Sequence, residues 1–375
     1  RENLLDRFGG IDADGNYQSP IKNPSKRFFT MLGTLVGGRV CVPRAGMSAA
    51  KSALAIAIRY GLKRRQFAAD PLKPETIIMD YPNQQRRLIP RLAKAYAIQF
   101  ALDYLLDRYV NRTEEDMREI EALAAGLKSY ATWFTTDCIQ ECREATGGKG
   151  YLAENRFAAL KADSDIFTTF EGDNTVLMQL VAKSVLSDFK KELSEDGYWS
   201  MIRYMGRRLN TVVTEQNPYV TRQTDRASID TPDFYRSALK FRHRRLTSTL
   251  AQRFRNYLKE GMSSFDAGLK VQTHMMSAAE AYVERLTLGR FQDAINKQAA
   301  GPVRDVLQKL AALYALHTIE GHSGWFQEHD YMTGQKSKAV SRVVDKLCSE
   351  LRPEVGGLVE AFGIPDELLG APIAL

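Results

Sequence analysis

GGKGYLAENRFAALKADSDIFTTFEGDNT, residues 147–175, joins the end of one long helical pattern to the start of another. Gly147 and Gly148 follow the first helix where left-handed caps are expected, a conformation that glycine adopts at no steric cost. A short apolar run, Ile166 to Phe170, then leads into Glu171-Gly172-Asp173-Asn174-Thr175. There Asp173 or Asn174 can cap the next helix, Val176 to about Phe189. Two features carry chemical potential, the glycine cluster and the lone carboxylate of Glu171. The rest reads as scaffold that sets both beside a bound ligand.

Upstream, Met47, Ala50, Leu54, Ala57, Ile58 and Gly61 fall at helical spacing and predict a helix from about Ala45 to Phe67, stopped by Pro71 and Pro74. Pro82 suits the first turn of the next helix. Leu88, Leu92, Tyr96, Phe100 and Leu105 stripe that helix as far as Val110. Thr113 reads as the N-cap of a third, with Glu114, Glu115 and Asp116 facing the positive end of its dipole. Residues 1–30 carry no sustained period and read as loop and edge structure. Downstream, residues 191–231 lose the period and read as a linker. Thr231-Pro232-Asp233 then supplies N-cap, N1 and N2 of a fifth helix, and further helices are expected at 267–297, 302–320, 336–351 and 354–362. The fold class is all-α, with a helical bundle over 31–190 and a second helical domain over 232–375.

At 375 residues the chain has room for two domains. A hydrophobic content of 44% with 26% charged residues describes a soluble globular protein and excludes a disordered or fibrous one. No apolar run is long enough to span a membrane. The opening RENLLDRF is neither a signal peptide nor led by methionine, so residues upstream are expected. Four cysteines show no metal or redox spacing; Cys138 and Cys142, i and i+4 on one helix, read as small core groups. A net charge of +7 favours an anionic partner without choosing among nucleic acid, membrane surface and a phosphorylated small molecule.

Each candidate site has a plainer alternative. Glu171 sits between an apolar run, which raises a carboxylate pKa, and a helix N-terminus, which lowers it. That balance suits a general base, but on these residues alone a solvated turn glutamate is the better description. The run GGKGY lets backbone approach a phosphate or adenine, yet it follows a helix and lacks the G-x-G-x-x-G spacing. Lys63-Arg64-Arg65 could bind a pyrophosphate or simply offset a helix C-terminus. Residues 240–259 hold seven Lys and Arg and no acid, which fits a solvated basic face better than a nucleic-acid surface. His317 and His322 lie on different faces, and no metal site follows from the five scattered histidines.

Five segments decide among these: RENLLDRFGG, SPIKNPSKRFFTMLGTLVGGRV, YGLKRRQF, CREATGGKGY and FTTFEGDNTVLMQLVAKSVL. In this order they resemble the C-terminal half of the flavin-dependent acyl-CoA oxidases and, more distantly, the acyl-CoA dehydrogenases. The resemblance covers nearly the whole chain, and the helical domain after about residue 231 belongs to the oxidase branch. It implies FAD, a fatty acyl-CoA substrate, and Glu171 as the base that removes the α-proton. A β-hydride then passes to the flavin and O2 takes the electrons as H2O2. It also implies that Arg64, flanked by Gln66 and Phe67, reaches the FAD pyrophosphate of a neighbouring subunit. Gly147 and Gly148 match glycines against the adenosine end. Asn174 and Thr175 follow the base where the family contacts FAD. Arg39 and Gly172 fall in the acyl-CoA site. Two departures stand out. Glu144 replaces a common glutamine, and Pro82 stands where a flavin-side glutamine is usual, with Gln85 one turn later.

In this family a helical domain and a β-domain precede such a segment, and residues 1–30 would end the latter. The chain alone is therefore expected to hold FAD weakly and to work as a homodimer, or as a heteromer with a chain that supplies those domains. Alternatives are a dehydrogenase that passes electrons to another flavoprotein and a catalytically silent helical module. The terminal Ala371-Pro-Ile-Ala-Leu375 is not a Ser-Lys-Leu address. A bacterial-type cytoplasmic location is expected, or a peroxisomal one if the chain is eukaryotic.

Overall fold

In a computed structural model, residues 9–24, 26, 27, 30, 33, 35–68, 70–195 and 224–375 are described. Residues 1–8 and 196–223, which hold the opening segment and most of the expected linker, lie outside them. The long helices are Leu35–Lys63 (α1), Pro82–Val110 (α2), Met117–Ala145 (α3), Phe157–Asp165 (α4), Asn174–Glu195 (α5), Pro232–Lys259 (α6), Gln272–Asn296 (α7), Pro302–Gly321 (α8) and Gly334–Leu351 (α9). Strand structure among the described residues is limited to two short antiparallel pairs. Gly10–Ile11 (β1) pairs with Tyr17–Gln18 (β2), and Arg65–Gln66 (β3) with Thr76–Ile77 (β4).

Helix starts follow local chemistry where a cap or proline announces it. Thr231 Oγ1 accepts from Phe234 N at 3.3 Å, with Pro232 at the first helical position of α6. Asp173, not Asn174, caps α5: its Oδ1 accepts from Thr175 N at 2.9 Å and Val176 N at 3.2 Å. Several boundaries differ from expectation. Helix α1 begins at Leu35 rather than Ala45: Pro43 is carried inside the helix and buried, as are Val36 and Val40 before it. It ends at Lys63 because the next residues pair as β3 with β4. Thr113 is not a cap. Its N and Oγ1 donate to Asp116 Oδ2 at 3.1 and 2.9 Å, and α3 starts at Met117. Helix α5 also runs to Glu195, and the short helix Arg226–Ile229 precedes α6, so both ends of the expected linker are helical.

Helix α1 packs along α3, α2 lies against both, and α5 covers α3. Helix α7 then touches α2, α3, α5, α6 and α8. The main core runs from Val36, Leu54 and Leu92 through Leu127 to Phe234, Phe291, Leu313 and Leu347. A second cluster joins Leu177, Val181 and Val185 of α5 to Leu250, Met275 and Ala278 of α6 and α7. Both clusters therefore draw on residues from either side of 191–231. Burying each large aliphatic side chain contributes about 1.5–3 kcal/mol, so this shared contact ties the two halves strongly. Gly126 of α3 marks a tight junction of three helices. An added Cβ there would lie 2.9 Å from Val283 Cγ2 of α7 and 3.3 Å from Val181 Cγ2 of α5. No helix among the described residues is long and apolar enough to cross a membrane.

The basic face of 240–259 is not wholly solvated. Arg242 is buried and pairs with Glu284 and, at 3.0 Å, with Glu280.

Candidate active site

Glu171 lies in a turn between α4 and α5 where two successive residues take left-handed backbone: φ is +57° at Glu171 and +111° at Gly172. For a residue with a Cβ this conformation costs roughly 1–3 kcal/mol, so the surroundings must enforce it. They do so through both carbonyls. Arg39 Nε of α1 donates to Glu171 O at 2.9 Å, and Lys128 Nζ of α3 donates to Gly172 O at 2.8 Å. Lys128 also donates to Asn174 Oδ1 at 2.9 Å. Asn174 in turn donates through Nδ2 to Thr132 Oγ1 at 2.9 Å and accepts at its carbonyl from Ser129 Oγ at 3.3 Å. Lys128, Ser129, Thr132 and Asn174 are all buried.

The carboxylate of Glu171 rests on Gly38 of α1. A Cβ at position 38 would come within 2.5 Å of its Cδ and 2.8 Å of its Oε2. Oε2 is buried and has no hydrogen-bond partner among the described residues. A buried carboxylate oxygen without a donor is uncommon, because it forfeits hydration without replacement. It is an acceptor open to a proton brought by a ligand. Phe170 flanks the turn, stacked on Phe167 with ring centroids 5.4 Å apart. Burial lowers the Arg39 pKa against the attraction of Glu171. Burial likewise pushes Lys128 down to about 8; Asp173 and Glu171 oppose this, and Arg39 adds to it.

A separate cleft of about 820 Å³ opens at the far end of α1. It gathers Arg64, Gln66, Phe67, Gly147 and Gly148, with Tyr81 and Gln84 from the start of α2 and Lys149 beyond the glycines. Tyr81 Oη donates to Gln66 O at 2.7 Å, which fixes β3 against α2. Phe67 has φ +60° and stands 74% exposed. Gly147 takes φ +59° and opens a short 3-10 turn, Gly147–Tyr151, after the actual C-cap Thr146. Gly148 is not left-handed, and an added Cβ would meet nothing within 4 Å. Its small size leaves the cleft floor open rather than relieving a clash.

Two expected cofactor residues sit elsewhere. Gln85 is buried and donates to Met79 O at 3.1 Å; the helical register set by Pro82 turns Gln84 to the cleft instead, where it donates to Ala145 O at 2.9 Å. Asn174 is consumed by its internal bonds, while Thr175 is exposed. Glu171, Arg39 and Gly172 do not line the cleft, so one chain presents the carboxylate and the glycine cleft apart. Sequence reasoning missed Lys128, although a lysine amid ALAAGLKSYATWF, on a helix of small and apolar residues, was a signal. It also missed that Glu280, Glu284 and His322 converge within 4.8 Å; Arg242 pairs with both carboxylates there.

This helical scaffold is the one seen in solved acyl-CoA oxidases. Arabidopsis thaliana acyl-CoA oxidase 1 superposes over 98% of this chain and 55% of its own, with a TM-score of 0.84 at 27% identity. Acyl-CoA oxidase-1 of Caenorhabditis elegans, solved as a complex with FAD and ATP, matches in fold at a TM-score of 0.80 and 21% identity, over 100% of this chain and 54% of that one. The chain belongs to the acyl-CoA oxidase family: residues 32–186 match the acyl-CoA oxidase C-alpha1 domain and residues 231–375 the acyl-CoA oxidase model. In sequence it is 38% identical to peroxisomal acyl-coenzyme A oxidase 2 of Arabidopsis thaliana, over 100% of this chain and 54% of that protein. The chain thus spans about half the length of the curated relatives it matches.

Proposed function

We propose that this chain is the base-bearing, cofactor-contacting part of an acyl-CoA oxidase that converts a fatty acyl-CoA and O2 into trans-2-enoyl-CoA and H2O2. The observation that carries the reading is Glu171 Oε2, buried and without a donor, on a turn held by Arg39 and Lys128. Such a carboxylate is suited to accept the α-proton of a thioester whose carbonyl is polarised by backbone N–H groups of the turn. Arg64, Gln84, Gln66, Phe67 and the floor at Gly147 and Gly148 fit the diphosphate and adenosine of FAD. When bound, FAD supplies the acceptor for the β-hydride and the route of electrons to O2. Because the cleft and Glu171 lie apart on one chain, we infer that the cleft serves a second protomer's cofactor, in a homodimer or in a heteromer whose other chain supplies the preceding domains. For a eukaryotic chain the relatives' names support a peroxisomal location.

The test is Glu171→Gln in the full polypeptide loaded with FAD. Peroxide release under air should fall by about 10³-fold with flavin content unchanged. Wild-type turnover in the variant removes Glu171 from the reaction, and O2-insensitive turnover of the parent with an artificial acceptor favours a dehydrogenase.

A further inference from the structure

We propose that Lys128 is a positioning residue for Glu171: from the middle of α3 its ammonium clamps the Gly172 carbonyl and the Asn174 amide and so delivers the carboxylate to Gly38. The proposal rests on the reading of Glu171 as base.

Lys128 is fully buried, yet both of its hydrogen bonds go to neutral oxygens, Gly172 O and Asn174 Oδ1. A buried cation held without a carboxylate in contact is costly, and burial has already pushed its pKa down to about 8. A helix packed for stability alone would be served as well by an apolar residue of that length. What the charge achieves here is local. It bonds the carbonyl immediately after Glu171 while Arg39 bonds that of Glu171 itself, so both peptide planes of the left-handed turn are fixed from opposite helices, α3 and α1. In a trans peptide the N–H points opposite its C=O. The amides of Gly172 and Asp173 are therefore turned away from the two cations. Ser129 and Thr132, on the same turn of α3, hold Asn174 and complete the clamp at the first residue of α5. The charged groups that face Lys128 are Asp173 at the start of α5, Arg39 on α1 and Glu171 itself.

The full FAD-loaded polypeptide is compared as parent, Glu171→Gln, Lys128→Met and Lys128→Arg. Turnover is measured with ordinary and α-dideuterated acyl-CoA, and amide hydrogen exchange is followed over 170–175. For Lys128→Met we expect kcat about 10²-fold lower, as for a base displaced by about an ångström, with KM within about twofold. The isotope effect on kcat should rise, and exchange over 170–175 should quicken while α6–α9 stay protected. Lys128→Arg keeps the charge without the compact geometry and should lose about tenfold in kcat at unchanged KM. It reads the same question if Lys128→Met does not fold. Parent-like kcat and isotope effect in whichever variant folds, with Glu171→Gln inactive, overturn the role of Lys128 and leave the base intact. Parent-like turnover in Glu171→Gln overturns both.

Discussion

At position 38 the missing side chain is what lets a carboxylate settle on α1. Gly38→Ala would put a methyl group into the space of the Glu171 carboxyl, and the flexible end of that side chain is what would yield. We expect melting within about 1 °C of the parent but kcat roughly 10²-fold lower in the full enzyme, since small displacements of a base are costly. Unchanged kcat would mean that the carboxylate does not act from this position. Glu171, Arg64 and the paired glycines could be singled out because each stands in a short segment of fixed order, and the structure puts Arg64 and the glycines in one cleft and Glu171 in a separate turn. Lys128 could not, because its partners are a backbone carbonyl 44 residues away and an asparagine 46 residues away, and no local pattern records such pairs. Which of Gln84 and Gln85 faces the cleft was hidden for a related reason: 100° of helical rotation separates them, and only packing decides.

Among the elements, α5 ties stability to the site, because its cap directly follows the Glu171–Gly172 turn. Asp173→Ala removes the acceptor for Thr175 N and Val176 N and should cost about 1 kcal/mol, read as a lower urea midpoint. It also removes a charge that supports the Lys128 ammonium, so the exchange rates of 170–175 should rise more than those of α9. No difference between the two segments would separate the cap from the turn. Helix identities were readable from period and caps, as at Thr231 and Pro82. Boundaries were less so. Pro43 was carried through because tertiary burial outweighs one lost hydrogen bond, and Thr113 donates to Asp116 instead of capping.

Over the whole molecule, buried titratable groups set how stability follows pH. Burial, with Arg285 and Arg244 nearby, pushes His243 down to about 3; burial pushes His317 to about 4, against Glu320. Unfolded, both titrate at the ordinary 6.5, so the unfolded chain binds more protons below that value. The stability they supply is complete above 6.5 and is lost as pH falls toward 4 and then 3. On the alkaline side burial pushes Lys128 and Lys336 down to about 8 from 10.5, so these groups make stability rise between the two values. Tyr96 and Tyr235, pushed up to about 12 by burial, reverse the trend above 10. Urea midpoints should therefore climb from pH 5 to 7, climb again from 8 to about 10, and then drop; a flat profile would contradict the burial of these side chains.

The division into two helical halves, read from a loss of period, says nothing about which helices lean on each other. The junction at Gly126 does, because it wedges Val283 into α3 less than one helical turn from Lys128. Anyone seeking a smaller catalyst by trimming at residue 231 would pull out that wedge and leave Ala125, Val181 and Tyr130 facing water. The shortened product would forfeit the rigid backing of the Glu171 turn, so size and site geometry cannot be engineered independently in this scaffold.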